Sequence, residues 1–314
     1  MALLALVVLV LLGLRGAAGV REVEDRHDIA PSEGAFVRTR TVELYRQELG
    51  PSDGPAVILI HGTLAWSGTY RPLMERLAGA GYHAIAIDLP PFGFSERPQR
   101  QDYDRHAQAE RIASALDAMH LERAVLVGHS FGGGATVEAA MSLGARVRGL
   151  VLLDAALGLG EPLREPPLPF RLDALRGLFV ASTLTNPMMI GVGLREFVYD
   201  DALVTPDRIA IYEQPYAIRR TTDAVGRWVV TGLYADESRS RSGNEAAYQT
   251  FAAPTLLVWG REDSITPLEQ GEHLSELLPN DQLVVLDRVG HIPHVESLDA
   301  TAAALLSFLE TLPR

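Results

Sequence analysis

Three residues far apart in this 314-residue chain, Ser130, Asp263 and His291, are of the types that together make an activated nucleophile. Ser130 lies in Gly128-His129-Ser130-Phe131-Gly132, followed by Gly133 and Gly134. A nucleophilic serine must stand exposed on a sharp strand-to-helix turn. Side chains two positions to either side would strike the neighbouring strand and helix, so glycine fits at both. The helix that begins there also aims its positive end and a free N–H at the site. A serine hydroxyl is a poor nucleophile until a base takes its proton, and imidazole is suited to that task near neutral pH. Among nine histidines, His291 follows directly on a core strand near the C-terminus, in the Gly/Pro turn Gly290-His291-Ile292-Pro293-His294. His294 is the fallback. A carboxylate must then bind the far ring nitrogen, fix its tautomer and stabilise the imidazolium. Asp263 is favoured; Glu262 and Asp154 are alternatives, and each could instead cap a helix or sit in a solvated turn. A fourth turn, His61-Gly62-Thr63-Leu64-Ala65-Trp66, would let the backbone N–H of Thr63 join that of Phe131 in an oxyanion hole. His61 and His129 read as turn-fixing or packed residues.

The stretches between these turns are suited to hold them in one place. Residues 36–49 alternate apolar and polar positions at period two, as in a half-exposed hairpin. The runs at 56–60, 82–88, 124–128, 147–154, 254–260 and 282–287 read as strands, the most apolar of them buried on both faces. Helical patterns separate them around 70–77, 104–120, 133–143, 267–278 and 298–312. This order predicts an α/β fold, a doubly wound, mostly parallel β-sheet flanked by helices. Such sheets bind ligands beyond the carboxyl ends of their strands, where all four turns lie. Between Ala156 and Ala253 the alternation stops. A Pro-rich piece (161–170), amphipathic helical patches and a polar, flexible-looking stretch (235–245) take its place. The expected organisation is a core at 36–155, an inserted helical cap at 156–253, and the rest of the core at 254–314.

Residues 3–14 (LLALVVLVLLGL) are uncharged and almost wholly apolar, and small residues follow at 16–19. The run is short for a span, which needs about 20 residues, and fits the core of an export signal. Yet Arg15 stands on its far side and only the α-amino group precedes it. Residues 1–20 are therefore expected to be a signal peptide or an N-terminal membrane anchor, and the protein exported (periplasmic or secreted) or membrane-anchored. A hydrophobic content of 47% with 22% charged residues suits a sizeable core and excludes a disordered chain or a polytopic membrane protein. Twenty-eight basic against 40 acidic residues, net charge -12 and no basic run argue against nucleic acid as a partner. The absence of cysteine removes thiol catalysis and disulfide scaffolds. No histidine pair has the spacing of a zinc helix and no Gly-Lys-Ser/Thr follows the glycine run, so no metal or cofactor is expected.

Five segments carry a likeness to a known family: LIHGTLAWSGTYRPL, AIDLPPFGFSERP, VGHSFGGG, PTLLVWGREDSITP and VGHIPHVES, in that order. With them the sequence resembles the α/β-hydrolase fold family, in its capped serine-hydrolase branch. The resemblance implies Ser130 as nucleophile, Asp263 as acid, His291 as base, the Thr63 and Phe131 amides as oxyanion hole, and residues after Asp154 as a lid. Pro91 departs from the glycine common in relatives, a change confined to its loop. Serine at 130 argues against epoxide hydrolases and haloalkane dehalogenases, which carry aspartate there. The expected substrate is a small or medium carboxylic ester with an apolar portion, since the lid is rich in residues such as Phe179, Val180, Met188, Met189 and Ile190; packing of lid on body accounts for many of these. Carbon–carbon bond hydrolysis or perhydrolase chemistry would use the same three residues. A slow-turnover ligand receptor on the same fold is the reading from outside the enzyme class.

Overall fold

The computed structural model describes residues 2–99, 102–160 and 165–313. Residues 161–164 of the Pro-rich piece lie outside them. Eight strands form one sheet in the order β1-β2-β4-β3-β5-β6-β7-β8. The hairpin β1 (Gly34–Arg38) and β2 (Glu43–Leu49) is antiparallel and pairs antiparallel with β4 (His83–Ile87). From β4 onward β3 (Ala56–Ile60), β5 (Ala124–His129), β6 (Val147–Leu153), β7 (Thr255–Gly260) and β8 (Asp281–Leu286) run parallel. The longer helices are α1 (Ala2–Arg21), α2 (Arg71–Gly79), α3 (Arg105–Ala118), α4 (Phe131–Leu143), α5 (Asp173–Ser182), α6 (Pro187–Phe197), α7 (Pro206–Glu213), α8 (Thr221–Trp228), α9 (Leu268–Leu277) and α10 (Leu298–Thr311).

The strands β3, β4 and β5 are buried at every residue, which is why they read as unbroken apolar runs. Successive residues feed opposite layers. Ile58, Ile60, Leu126 and Leu152 pack with α3, α4 and α9, whereas Val57, Leu59, Val127 and Val258 pack with α2 and α10. The chain leaves β3 for β4 on one side and then crosses back to β5 on the other. The crevice between the carboxyl ends of β3 and β5 is therefore the switch point of the sheet, where ligand sites form. Between β6 and β7 the chain is helical among the described residues.

Two stretches differ from what local composition suggests. Residues 235–245 are pinned rather than loose. The buried Glu138 of α4 accepts the N–H groups of Arg241 (3.3 Å) and Ser242 (2.7 Å), and the Tyr248 hydroxyl donates to the Ser242 carbonyl at 2.7 Å. The carboxylate that orders this polar run lies some hundred residues upstream, beyond any local pattern. The N-terminal segment, in turn, is attached to the body. The first turns of α1 expose Leu3, Leu6, Leu9 and Leu12, but its second half packs on α5, buries Ala18, and pairs Arg15 with Asp223 at 3.0 Å. Among the described residues no single helix is long and apolar enough to cross a membrane.

Candidate active site

Ser130 ends β5 and begins α4 with φ 51° and ψ -128°, a left-handed conformation that costs a non-glycine residue about 1–3 kcal/mol. The surroundings over-determine it. The Ser130 N–H donates to the Leu153 carbonyl at 3.1 Å, and its carbonyl accepts from Gly133 (2.8 Å) and Ala156 (2.9 Å). Glycine is required two positions to each side. A Cβ at Gly128 would lie 2.5 Å from the Thr136 hydroxyl, and one at Gly132 would lie 2.2 Å from the His61 carbonyl oxygen. The sharp turn thus follows from two neighbours that have no side chain.

Loops leaving β5, β7 and β8 bring three predicted residues together. The Ser130 hydroxyl donates to His291 Nε2 at 2.7 Å, and His291 Nδ1–H donates to Asp263 Oδ2 at 2.8 Å. All three side chains are buried. Burial pushes the Asp263 carboxyl up, but the hydrogen bond and charge of His291, the Thr266 hydroxyl and the Ile265 amide together outweigh it and hold Asp263 below its ordinary value. Asp154 presents the opposite case. Almost fully buried, it is driven well above the carboxylate range by desolvation and by the adjacent charge of Asp263, although Gly260 N–H donates to its Oδ1 at 2.9 Å. It is Asp263, not Asp154, that meets the His291 ring, so the geometry separates the two aspartates. Glu262 accepts the Val289 N–H at 3.0 Å and takes no part in the chain.

Three other histidines near the site are packed into its walls. His61 accepts the Leu89 N–H on Nε2 (2.9 Å) and donates from Nδ1 to the Gly62 carbonyl (2.8 Å); burial pushes it down to about 4. His129 donates from Nε2 to the His291 carbonyl at 2.7 Å. His294 stacks on Tyr70 with ring centres 4.5 Å apart and is pushed by burial down to about 3; the ring that bonds Ser130 is that of His291.

Thr63 and Phe131 flank Ser130 in the wall of a cavity of about 710 Å³. Phe131 is the first residue of α4, so its N–H has no acceptor within the helix. Gly62 leaves room for this arrangement. A Cβ there would come within 2.7 Å of His129 Nδ1 and 2.9 Å of Ser130 Cβ. The rest of the wall is mostly glycine, alanine, leucine and hydroxyl residues; Arg105 and Glu237 are the charged residues among the described lining. A serine oxygen at the floor, a base against it and the free N–H of Phe131 beside it are parts needed to attack a carbonyl carbon and hold the resulting oxyanion, and Thr63 lines the same wall.

Residues 55–298 match the family described as alpha/beta hydrolase fold. The chain belongs to that family. A 2-hydroxy-6-oxononadienedioate/2-hydroxy-6-oxononatrienedioate hydrolase of Paraburkholderia phymatum is 31% identical over 265 residues, 81% of this chain and 86% of the relative. Among solved structures, a meta-cleavage product hydrolase from Pseudomonas fluorescens superimposes with TM-score 0.72 at 26% identity, covering 88% of this chain and 97% of that one. A bacterial membrane phospholipase A superimposes with TM-score 0.70 at 26% identity and covers 98% of this chain and 97% of that one. This α/β hydrolase therefore has relatives named for different substrates.

Several residues that hold the hydrolase site have no local signature. Glu296 accepts the N–H groups of Gly290 and Ile292 at 3.0 Å each and of Tyr199 at 2.6 Å, clamping the histidine loop to the lid. The Phe197 carbonyl at the end of α6 receives the His291 N–H at 2.7 Å. Thr266, three residues after Asp263, is the exception. Its position after an Asp in a turn is the kind of spacing that marks a side chain bonding back to its neighbour.

Proposed function

We propose that this α/β hydrolase is a serine hydrolase that cleaves a carboxylic ester with an apolar acyl or alcohol portion. The Ser130 oxygen attacks the ester carbonyl carbon while its proton passes to His291 Nε2, and Asp263 steadies the imidazolium. The oxyanion is held by the Thr63 and Phe131 N–H groups. His291 then protonates the departing alkoxide, leaving an acyl group on Ser130. Water, deprotonated by the same histidine, releases the acid and restores the serine. The observation that carries this reading is the unbroken hydrogen-bonded chain from Ser130 through His291 to Asp263 at the floor of a charge-poor cavity.

Carbon–carbon bond hydrolysis is the second reading, and the relatives named for an activity favour it over ester cleavage. Their named substrates include dicarboxylates, which call for a cation in the pocket. Arg105 is the charged donor among the described lining, and its Nη2 is turned to the carbonyls of Ala156 (3.2 Å) and Leu157 (2.5 Å). Its Nη1, however, is buried without a partner, so a substrate carboxylate would find one donor there, and the ester reading rests on the charge-poor remainder of the wall. The phospholipase likeness bears on the same choice, because its match extends over the N-terminal helix. We further propose that α1 is retained and anchors the protein in one leaflet, its exposed leucines entering the apolar layer while Arg15 and Ala18 stay docked on the lid.

The test is labelling with a fluorophosphonate, followed by turnover of p-nitrophenyl esters of graded chain length beside a 2-hydroxy-6-oxo-dienoate. Labelling with fast ester turnover is the expected result. Turnover of the dienoate alone would replace the ester reading with the second one. Slow turnover of both with tight retention of product would favour a receptor.

A further inference from the structure

A buried carboxylate outside the site has no role in the reaction written above. Glu22 lies in the short segment that joins α1 to the body, and it is 9% exposed. Its carboxylate meets the beginning of α8, 200 positions along the chain. It accepts the Thr222 N–H at 3.0 Å and the Thr222 hydroxyl, while Arg21 approaches it at 3.2 Å. The Thr222 oxygen also contacts the Thr185 hydroxyl at 2.8 Å, tying α8 to the end of α5. The helix has no cap of its own. Its N-cap residue is Arg220, left-handed at φ 66° and without a capping side chain, and Thr221 and Thr222 are shut off from water. Unsatisfied N–H groups at a buried helix start are unfavourable, and a carboxylate there satisfies both the hydrogen bond and the helix dipole.

The other end of α8 reaches the site. Its last residue, Trp228, is fully buried and meets Phe131 edge-on with ring centres 5.1 Å apart, and Phe92 at 5.0 Å. The chain then makes one π-helical turn, Val229–Leu233, and Gly232 and Leu233 enter the cavity wall. Gly232 is pressed against the indole, since a Cβ there would lie 2.6 Å from Trp228. The helix is thus a rod about 12 Å long with Glu22 at one end and the residue after Ser130 at the other.

We infer that Glu22 is a positioning residue for the oxyanion hole: by capping α8 it fixes the seat of Trp228, and Trp228 holds Phe131. The N-terminal segment is then part of the catalytic support. This rests on the serine-hydrolase reading and is indifferent to which bond is cleaved.

The experiment uses the full chain with Glu22→Ala, Glu22→Gln and Thr222→Val, and Asp117→Ala as a control that breaks an exposed pair with Arg146 outside α8. Active sites are counted by fluorophosphonate stoichiometry. The readouts are kcat and KM on the best p-nitrophenyl ester, and the inhibition constant of a trifluoromethyl ketone, which forms an oxyanion on the serine. Glu22→Ala is expected to lower kcat per titrated site about five- to tenfold, with KM within about twofold, and to weaken the ketone by the same factor. Glu22→Gln keeps an acceptor and should recover most of the loss; Asp117→Ala should match the wild type. If Glu22→Ala does not fold, Glu22→Gln and Thr222→Val carry the comparison, with a smaller loss of the same pattern expected. Lower thermal stability with unchanged kcat per site and unchanged ketone affinity would make the cap structural only and overturn the inference. Failure of the wild type to label would overturn the serine-hydrolase reading along with it.

Discussion

Ser130, Thr63, Asp263 and His291 stand on loops leaving β5, β3, β7 and β8, and much of what fixes each lies within a few residues of it: glycines beside Ser130, Gly62 before Thr63, Thr266 after Asp263. The roof of the cavity is held differently. Glu138 pins residues 241–242, Glu22 caps α8, and Phe197 receives the His291 N–H, all across long stretches of chain. The floor is thus set by local sterics and the roof by distant polar pairs. Changes at the floor should therefore strike the chemistry directly, whereas changes at the roof should act at a distance: on substrate binding and stability at Glu138, and more weakly on turnover at Glu22 and Phe197, where the roof bears on Phe131 and His291.

The largest effect expected is at the floor. Ser130→Ala should abolish fluorophosphonate labelling and lower kcat by about 10⁴–10⁶-fold, and Asp263→Asn should lower it by about 10³–10⁴-fold. Asp154→Asn sharpens the contrast. Because burial and the Asp263 charge push that carboxyl towards its neutral form and it makes no bond to His291, its amide should retain activity within about tenfold of wild type; a loss matching that of Asp263→Asn would mean the two aspartates share the role. Next comes Gly62→Ala, whose added methyl meets His129 and Ser130. It should cost about 10²-fold in kcat, while Gly79→Ala, where a Cβ meets open space, should cost nothing measurable.

Stability should respond to acid through histidines held neutral by burial. His61 and His294 are pushed down to about 4 and about 3, so the unfolded chain binds protons that the folded one refuses between those values and about 6.5. Their contribution is complete above that range and lost as pH falls through it, about 2 kcal/mol for each at pH 5. Asp88, pushed up to about 6 by burial, works the other way and returns about 1 kcal/mol over the same interval. Urea unfolding at pH 7 and pH 5 measures the sum, and His294→Phe should remove its own part of the slope. The smallest effect is expected at the roof. Glu138→Gln should raise KM several-fold with kcat nearly unchanged and cost about 1–2 kcal/mol of stability. A fall in kcat as large as that of Gly62→Ala would erase the distinction between floor and roof.

The same division governs what could be read from the chain alone. The run AVILI became β3 with the expected bounds because burial on both faces writes itself as an unbroken apolar string. The Gly-X-Ser-X-Gly turn was legible because its steric requirement falls within five residues. The choices between His291 and His294, and between Asp263 and Asp154, needed three dimensions, since only the folded loops decide which ring meets Ser130 and which carboxylate meets that ring. Glu22, Glu138 and Glu296 left no trace in local pattern, for each acts largely on backbone N–H groups, which every sequence supplies. The apparent looseness of residues 235–245 has the same origin. Polar composition there describes the surface of the segment, not the buried carboxylate beneath it.

The bond from the His291 N–H to the Phe197 carbonyl bears on how far this molecule can be treated as two modules. Hydrolases of one sheet are attractive hosts for exchanged caps, on the premise that a cap selects substrates while the sheet does the chemistry. Here the end of α6 supplies an acceptor to the backbone of the residue that carries the proton. A transplanted cap without a carbonyl at that place would alter the base together with the pocket, so a graft meant to change selectivity should begin after Phe197 and keep that peptide intact.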